Sequence, residues 1–296
     1  MKFFAVSILT FAAVSGAFAQ AFLMMPDSTN NRVVTFDPMT GSVLNSSLFT
    51  IAASTTPIHA MQVGQEIWIS EQIGDKVSRY DSAGSSLGAI SGGLDNIRGM
   101  GLIGGTVYVT NSGTANGASG NSVRSYDTSG NFLSFFTTPN APSPFGILDY
   151  QGGMLVSSSS ANDDVHKYSL GGTALGTFHN STTLNFAEQM DYATNGDILV
   201  AGFSSNNVTR HDASTGALLS SFTASGARGV YQLGNGNILW SSGSGAFIWD
   251  GVSSTQIYTG GGRYFDMYTP VPEPATLFVI GAGVAALARR RRSKKV

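Results

Sequence analysis

Val107-Tyr108-Val109-Thr110 leads through a polar loop into Ser122-Val123-Arg124-Ser125-Tyr126-Asp127-Thr128-Ser129-Gly130-Asn131-Phe132-Leu133. Alternating β-branched and aromatic residues predict a strand on each side of the loop. Asp127 and Gly130 predict a tight turn: an Asp side chain accepts hydrogen bonds from the backbone just ahead of it, and Gly takes the positive φ such a turn needs. Phe132-Leu133 opens another strand. The unit is therefore strand, loop, strand, turn, strand.

The same unit recurs along the chain. Its Asp-equivalent positions are Asp37, Asp81, Asp127, Ser169, Asp212 and Asp250, spaced 44, 46, 42, 43 and 38 residues apart. Two copies are degraded: Lys167-Tyr168-Ser169 has Ser for Asp, and Ile248-Trp249-Asp250 is followed at once by Gly251. The period suits one four-stranded propeller blade. A small, Gly-containing leading run completes each set of four, as in Arg98-Gly99-Met100 and Arg228-Gly229-Val230. The first repeat lacks this run and starts at Phe22-Leu23-Met24-Met25, while the last such run, Phe265-Asp266-Met267, has no followers. Joining the two would complete a sixth blade and hide the sheet edges. The expected fold is all-β, a six-bladed β-propeller of four-stranded blades over residues 20–270. The aromatics Phe36, Tyr80, Tyr126, Tyr168 and Trp249, with His211, share one slot of the repeat, which predicts packing between blades. The unit resembles the repeats of the NHL and YVTN propeller groups.

Residues 1–19 have a Lys2 start, an apolar run and Ala17-Phe18-Ala19, the pattern of a signal peptide removed by signal peptidase after Ala19. Residues 271–296 carry Val271-Pro272-Glu273-Pro274-Ala275-Thr276-Leu277, an apolar stretch over about 275–288 and a basic tail at 289–295 that begins Arg289-Arg290-Arg291-Arg292. Fourteen apolar residues make about 21 Å of helix, a marginal membrane span whose basic end stays in the cytoplasm. This ending resembles the PEP-CTERM sorting signal of Gram-negative bacteria, with motif, helix and Arg cluster in order. The resemblance implies recognition by an exosortase, a membrane protease-transpeptidase, with processing near Pro272-Glu273-Pro274. It also implies transient inner-membrane anchoring, then a place at the cell surface or outside, in a family associated with exopolysaccharide.

With no cysteine the chain has neither disulfides nor Cys-based metal or redox sites. Without its two ends the body holds nine basic and 17 acidic residues, a net of −8, which argues against nucleic acid as a partner. Leading strands line a propeller's channel. Aligned on the small residue, the positions before it are His59, Arg98, Phe145, Glu188, Arg228 and Phe265. His59, Arg98, Glu188 and Arg228 are the candidate binding residues at the channel mouth. Guanidinium forks suit carboxylates or sugar acids, so a polysaccharide or another envelope protein is the expected partner. The simpler reading is that Arg98, Arg228 and Glu188 satisfy one another across a wet pore. Glu188, Asp149, Asp191 and Asp266 would be the oxygens of a metal-dependent hydrolase, but their spacing is out of register. No metal or other cofactor is therefore expected. Asp163-Asp164 and the Asn-rich loops read as solvated turns, and Ser157 to Ser160 as a loop. The function expected is an exported binding or scaffold module at the envelope or in a biofilm matrix. The alternative is a hydrolase or lyase acting on polysaccharide or lactones.

Overall fold

A computed structural model describes residues 20–53, 55–159 and 164–270. The expected signal peptide, sorting motif, apolar helix and basic tail lie outside the described residues. All described strands fall in one compact unit, Ala21–Thr269. Among the described residues there is no helix, and so none long and apolar enough to cross a membrane.

Blade I begins with β1 (Phe22–Asp27), β2 (Arg32–Phe36) and β3 (Val43–Thr50). Blade II is β4 (Pro57–Val63), β5 (Glu66–Glu71), β6 (Lys76–Tyr80) and β7 (Ser86–Ile90). Blade III is β8 (Ile97–Ile103), β9 (Thr106–Asn111), β10 (Ser122–Asp127) and β11 (Phe132–Thr137). Blade IV is β12 (Pro144–Tyr150), β13 (Gly153–Ser158), β14 (Val165–Ser169) and β15 (Ala174–His179). Blade V is β16 (Ala187–Tyr192), β17 (Ile198–Gly202), β18 (Asn207–His211) and β19 (Leu218–Thr223). Blade VI is β20 (Gly229–Gln232), β21 (Ile238–Ser242), β22 (Gly245–Trp249) and β23 (Ser254–Thr259). The last strand, β24 (Asp266–Tyr268), returns to blade I as its innermost member, giving six antiparallel sheets of four strands. This is the six-bladed propeller that the repeat predicts.

The ring closes where expected. β1 pairs with β24 through Phe22↔Tyr268, Leu23↔Met267 and Met24↔Asp266, and the Phe22 and Tyr268 rings stack 4.9 Å apart. Asp27 reinforces the closure. Its buried carboxylate accepts hydrogen bonds from the Gly261 backbone (2.8 Å) and the Tyr258 hydroxyl (2.5 Å). Burial pushes this carboxyl up, but the bonds from Asn30, Tyr258 and Gly261 outweigh burial and hold it below the ordinary range.

The slot aromatics pack between blades, and the structure shows against what. An aromatic near the far end of each outer strand meets the slot ring of the next blade: Phe49 with Tyr80 at 5.0 Å, Phe136 with Tyr168 at 5.9 Å, Phe178 with His211 at 6.2 Å, Phe222 with Trp249 at 4.6 Å, and Tyr258 with Phe36 at 6.3 Å. Between blades II and III, Ile90 takes the aromatic's place against Tyr126. The turn glycine serves the same seam. A Cβ on Gly84 would lie 2.2 Å from Phe49, and one on Gly172 would lie 2.2 Å from Phe136. Both glycines also have positive φ, +85° and +87°, so the repeat's Gly answers to backbone and packing together.

A hydroxyl at the end of the second strand ties neighbouring blades near the axis. Ser70 donates to the Arg98 carbonyl, Thr110 to that of Phe145 (3.0 Å), Ser157 to that of Glu188 (2.6 Å) and Ser241 to that of Arg263 (2.6 Å). This corrects the reading of Ser157 to Ser160 as a loop. Ser157 and Ser158 end β13 and are fully buried; their small hydroxyls cross-link strands, a role invisible in a run of four serines. Leu44, Leu87, Leu133, Leu175 and Leu219 of the outer strands are about half exposed, so the core is made by the inner three strands of each blade.

Candidate functional site

The six inner strands run the same way along the axis, and their register defines levels of the channel. The residues whose carbonyls are held by the neighbouring blade are Ile58, Arg98, Phe145, Glu188, Arg228 and Arg263. Arg98, Glu188 and Arg228 thus share a level, as the sequence alignment predicts. His59 and Phe265 do not. His59 occupies the place of Gly99, Gly146 and Gly229, with its N–H on the Ser70 hydroxyl, and Arg263 replaces Phe265 at the first level. The error has a physical source. Alignment on a small residue fails where a His or Tyr264 fills the small-residue slot.

Arg98 and Glu188 on this level are 7% and 2% exposed and Tyr264, one residue on, is 1% exposed, while Arg228 and Arg263 are half-buried, so buried side chains plug this part of the channel. The Arg98 guanidinium lies 3.7 Å above the Phe145 ring and donates to the Ser112 and Ser143 hydroxyls at 2.8 Å. Phe145, Phe186 and Phe203 stack edge to face in sequence, and Arg228 caps Phe203 at 4.7 Å. Burial pushes the Glu188 carboxyl up to about 7, against the pull of Arg228, Arg98 and Tyr264. Burial likewise brings Arg98 down to about 10, and holds the Tyr264 phenol well above its ordinary value. Among the described residues no direct ion pair joins these charges; burial disfavours them, and the mutual attraction of Glu188 with Arg98 and Arg228 and the Ser112 and Ser143 hydroxyls on Arg98 offset part of that cost.

Above the plug opens a funnel of about 480 Å³. His59, Gln189 and Tyr264 form its lower wall. The His59 Nδ1 accepts the Met100 N–H at 3.1 Å, and Nε2 faces Asp266 at 3.3 Å. Gln189 accepts the N–H groups of Val230 and Phe265 and donates to the Phe265 carbonyl at 2.6 Å, binding blades V, VI and I together. Two residues beyond His59 comes the level of Met61, Gly101, Leu148, Asp191, Tyr231 and Asp266. Its blades II to IV are apolar, while its blades V, VI and I present carboxylate, phenol, carboxylate. Asp149 joins the wall one step further out.

Burial pushes the Asp191 carboxyl up to about 7; the Tyr192 N–H at 2.8 Å opposes the shift and the Asp266 charge adds to it. Tyr231 is raised by burial and then by both aspartates, which marks the three as one electrostatic group. No Lys or Arg lines the funnel. Among the described residues no three His, Cys, Asp or Glu side chains are placed to hold a metal ion. The sequence reading named Asp149, Asp191 and Asp266 but passed over Tyr231, Gln189 and Tyr264. Matching Asp266 to Asp191 through the pairing of β1 would have found the shared level.

A family model described as the PEP-CTERM protein-sorting motif matches residues 270–292. The chain thus carries that sorting motif behind a six-bladed propeller, and the motif marks an exported, membrane-passing protein processed by an exosortase. No curated protein matches the sequence. Among solved structures, the chain is similar to a protein of unknown function from Bacteroides caccae, with 15% identity over 83% of this chain and 98% of that one, at a TM-score of 0.62. It is similar to a chain of the nidogen/laminin complex, with 9% identity over 84% and 98%, at 0.67. It is also similar to the WD40 β-propeller domain of Doa1, with 12% identity over 74% and 71%, at 0.57. Likeness at these identities carries the fold alone.

Proposed function

We propose that this exported propeller is a binding module of the cell envelope or extracellular matrix, and that its funnel takes a cationic, amine-bearing ligand. The observation that carries the reading is the wall of Asp191, Tyr231 and Asp266 above the plug, with Asp149 beside it and, among the described residues, no Lys or Arg in the lining, His59 facing Asp266 being its one imidazole. A blind funnel suits capture better than passage. Its carboxylates attract cations and repel a polyanion. Arg98 and Arg228, which would grip a sugar acid, are engaged in the plug below. In this reading the signal peptide and the C-terminal apolar helix serve delivery, and the propeller meets its ligand outside.

Calorimetric titration of the full-length protein with spermidine tests the proposal. Burial pushes the Asp191 carboxyl up to about 7, and a bound cation favours the ionised form. Affinity should therefore rise as pH increases through 7, with proton release on binding. Asp191→Asn should weaken binding about tenfold, the effect of about 1.4 kcal/mol, and flatten the pH dependence. Equal binding by wild type and variant, or stronger binding of an acidic saccharide, would sink the reading.

One observation favours the alternative of a hydrolase or lyase: two carboxyl groups flank a phenol, and burial pushes one of them, Asp191, up toward the range a general acid needs. Turnover of a lactone or polysaccharide by the wild type, lost in Asp191→Asn and Asp266→Asn, would establish it in place of simple binding.

A further inference from the structure

The seam between blades V and VI differs from the others because blade VI departs from the repeat. In blades II, III and IV the turn from third to fourth strand closes from the slot-adjacent residue to the fourth residue on: Asp81 N–H to the Ser85 carbonyl, Asp127 to Asn131, Ser169 to Thr173. In blades I and V it closes to the fifth, Asp37 to Ser42 and Asp212 to Ala217. In blade VI it closes to the third, Asp250 to Ser253. The longer turns set their glycine against the preceding blade. A Cβ on Gly84, Gly172 or Gly216 would collide with Phe49, Phe136 or Phe178, whereas one on Gly251 would meet nothing within 4 Å.

The shortened turn leaves a groove of about 350 Å³ between the two blades, inside the range of about 300–1,000 Å³ common to small-ligand sites. Its aromatic element is Trp249, stacked on Phe222 at 4.6 Å with the planes 2° apart. Tyr80, Tyr126, Tyr168, Phe36 and His211 in the equivalent slots are at most 7% exposed, while Trp249 stays partly open. Polar groups ring the aromatic pair. The hydroxyl of Ser220, on the same face of β19 as Phe222, and the side-chain amide of Asn237 border the groove and make no hydrogen bond among the described residues. Arg210, already paired with Asp197 at 4.0 Å, and Asp250, whose carboxylate accepts from the N–H groups of its own turn, stand at its border.

The geometry points to a second binding site here, for an uncharged saccharide unit. A pyranose has one face of C–H groups and a rim of hydroxyls. The C–H face suits the electron-rich face of an aromatic ring, and Trp249 has one face on Phe222 while staying partly open; the rim matches unengaged amide and hydroxyl groups that both donate and accept. Border charges that already have partners fit a neutral ring better than an acid or an amine. The site is separate from the funnel, being built from β17, β18 and β19 of blade V and from β21, β22 and the turns at their ends in blade VI, with no innermost strand.

Tryptophan emission reads this groove. Trp68 and Trp240 are buried at 0% and 4% exposure, and Trp249 alone of the three is accessible. The full-length protein is titrated with maltotriose, cellotriose and chitotriose at millimolar concentration. At least one should change the emission saturably, and the same change should appear in Asp191→Asn. It should vanish in Trp249→Ala. It should also vanish when Gly251-Val252-Ser253 is replaced by the sequence of Ser82-Ala83-Gly84-Ser85, which restores the longer turn and keeps all three tryptophans. Absence of a saturable change with all three sugars, or its persistence in the lengthened-turn variant with native circular dichroism, would overturn the proposal.

Discussion

The seam between blades III and IV and the seam between blades V and VI are made of the same parts and end differently. In the first, Phe136 lies tilted against a Tyr168 that is 1% exposed, and Gly172 closes over the Phe136 ring. In the second, Phe222 and Trp249 lie flat on one another, and the turn above them stops short. A single residue of turn length separates a sealed interface from an accessible groove. In a repeat fold each interface is a nearest-neighbour problem, so a local deletion changes one seam and leaves the others intact.

The largest effect that would sharpen this contrast is on the slot rings. Tyr168→Ala should lower the unfolding free energy by about 4 kcal/mol, in the range for a buried aromatic. Trp249→Ala should cost less than about 2 kcal/mol, since its site is already partly hydrated. Chemical denaturation of the two variants compares them. Equal losses would break the distinction.

The turn glycines come next. Gly172→Ala combines a positive φ with a collision against Phe136 and should cost about 3 kcal/mol. Gly251→Ala has the strained φ alone, +99°, and should cost about 1 kcal/mol. The same denaturation series measures both.

The seam between blades IV and V adds a pH-dependent member. His211 is buried between the Thr209 hydroxyl and the Gly216 carbonyl, and burial, then the neighbouring His179, lowers it to about 4. Its folded value lies below the ordinary 6.5, so the unfolded chain binds the extra proton between those two limits. The stability from keeping His211 neutral is present above pH 6.5 and is lost as pH falls toward 4, by up to about 3 kcal/mol. His211→Tyr, which gives blade V the slot residue of blades II, III and IV, should flatten the stability curve over that window. An unchanged slope would assign the acid sensitivity to other groups.

The same repeat explains how far residue-level reading reaches. The Tyr-Asp-x-x-Gly unit carries its own turn chemistry and strand alternation, so blade number and the closing pair Phe22 and Met267 were legible. The short spacing of 38 residues before Asp250 even held a trace of the clipped turn. Channel levels were less legible. Arg98 and Arg228 aligned correctly because a glycine follows each, and Glu188 because the repeat spacing places it even though Gln189 fills the glycine's slot. His59 and Phe265 misaligned because the slot after the first level holds an imidazole in blade II and a phenol in blade I. The Asp191, Tyr231 and Asp266 wall joins residues from three blades, and no local pattern records that union.

Periodicity, turn residues and the sorting motif, all of them short-range features, were enough to determine the all-β ring, its six members and its export. Which carboxylates share a wall, which arginines belong to a plug and which seam stays open were decided only by the closed tertiary structure. Strand alternation sets which side of a sheet a residue takes, but the meeting of side chains across an axis depends on the register of six separate sheets. That register is settled by packing between blades, through hydroxyl staples, slot rings and the reach of each turn.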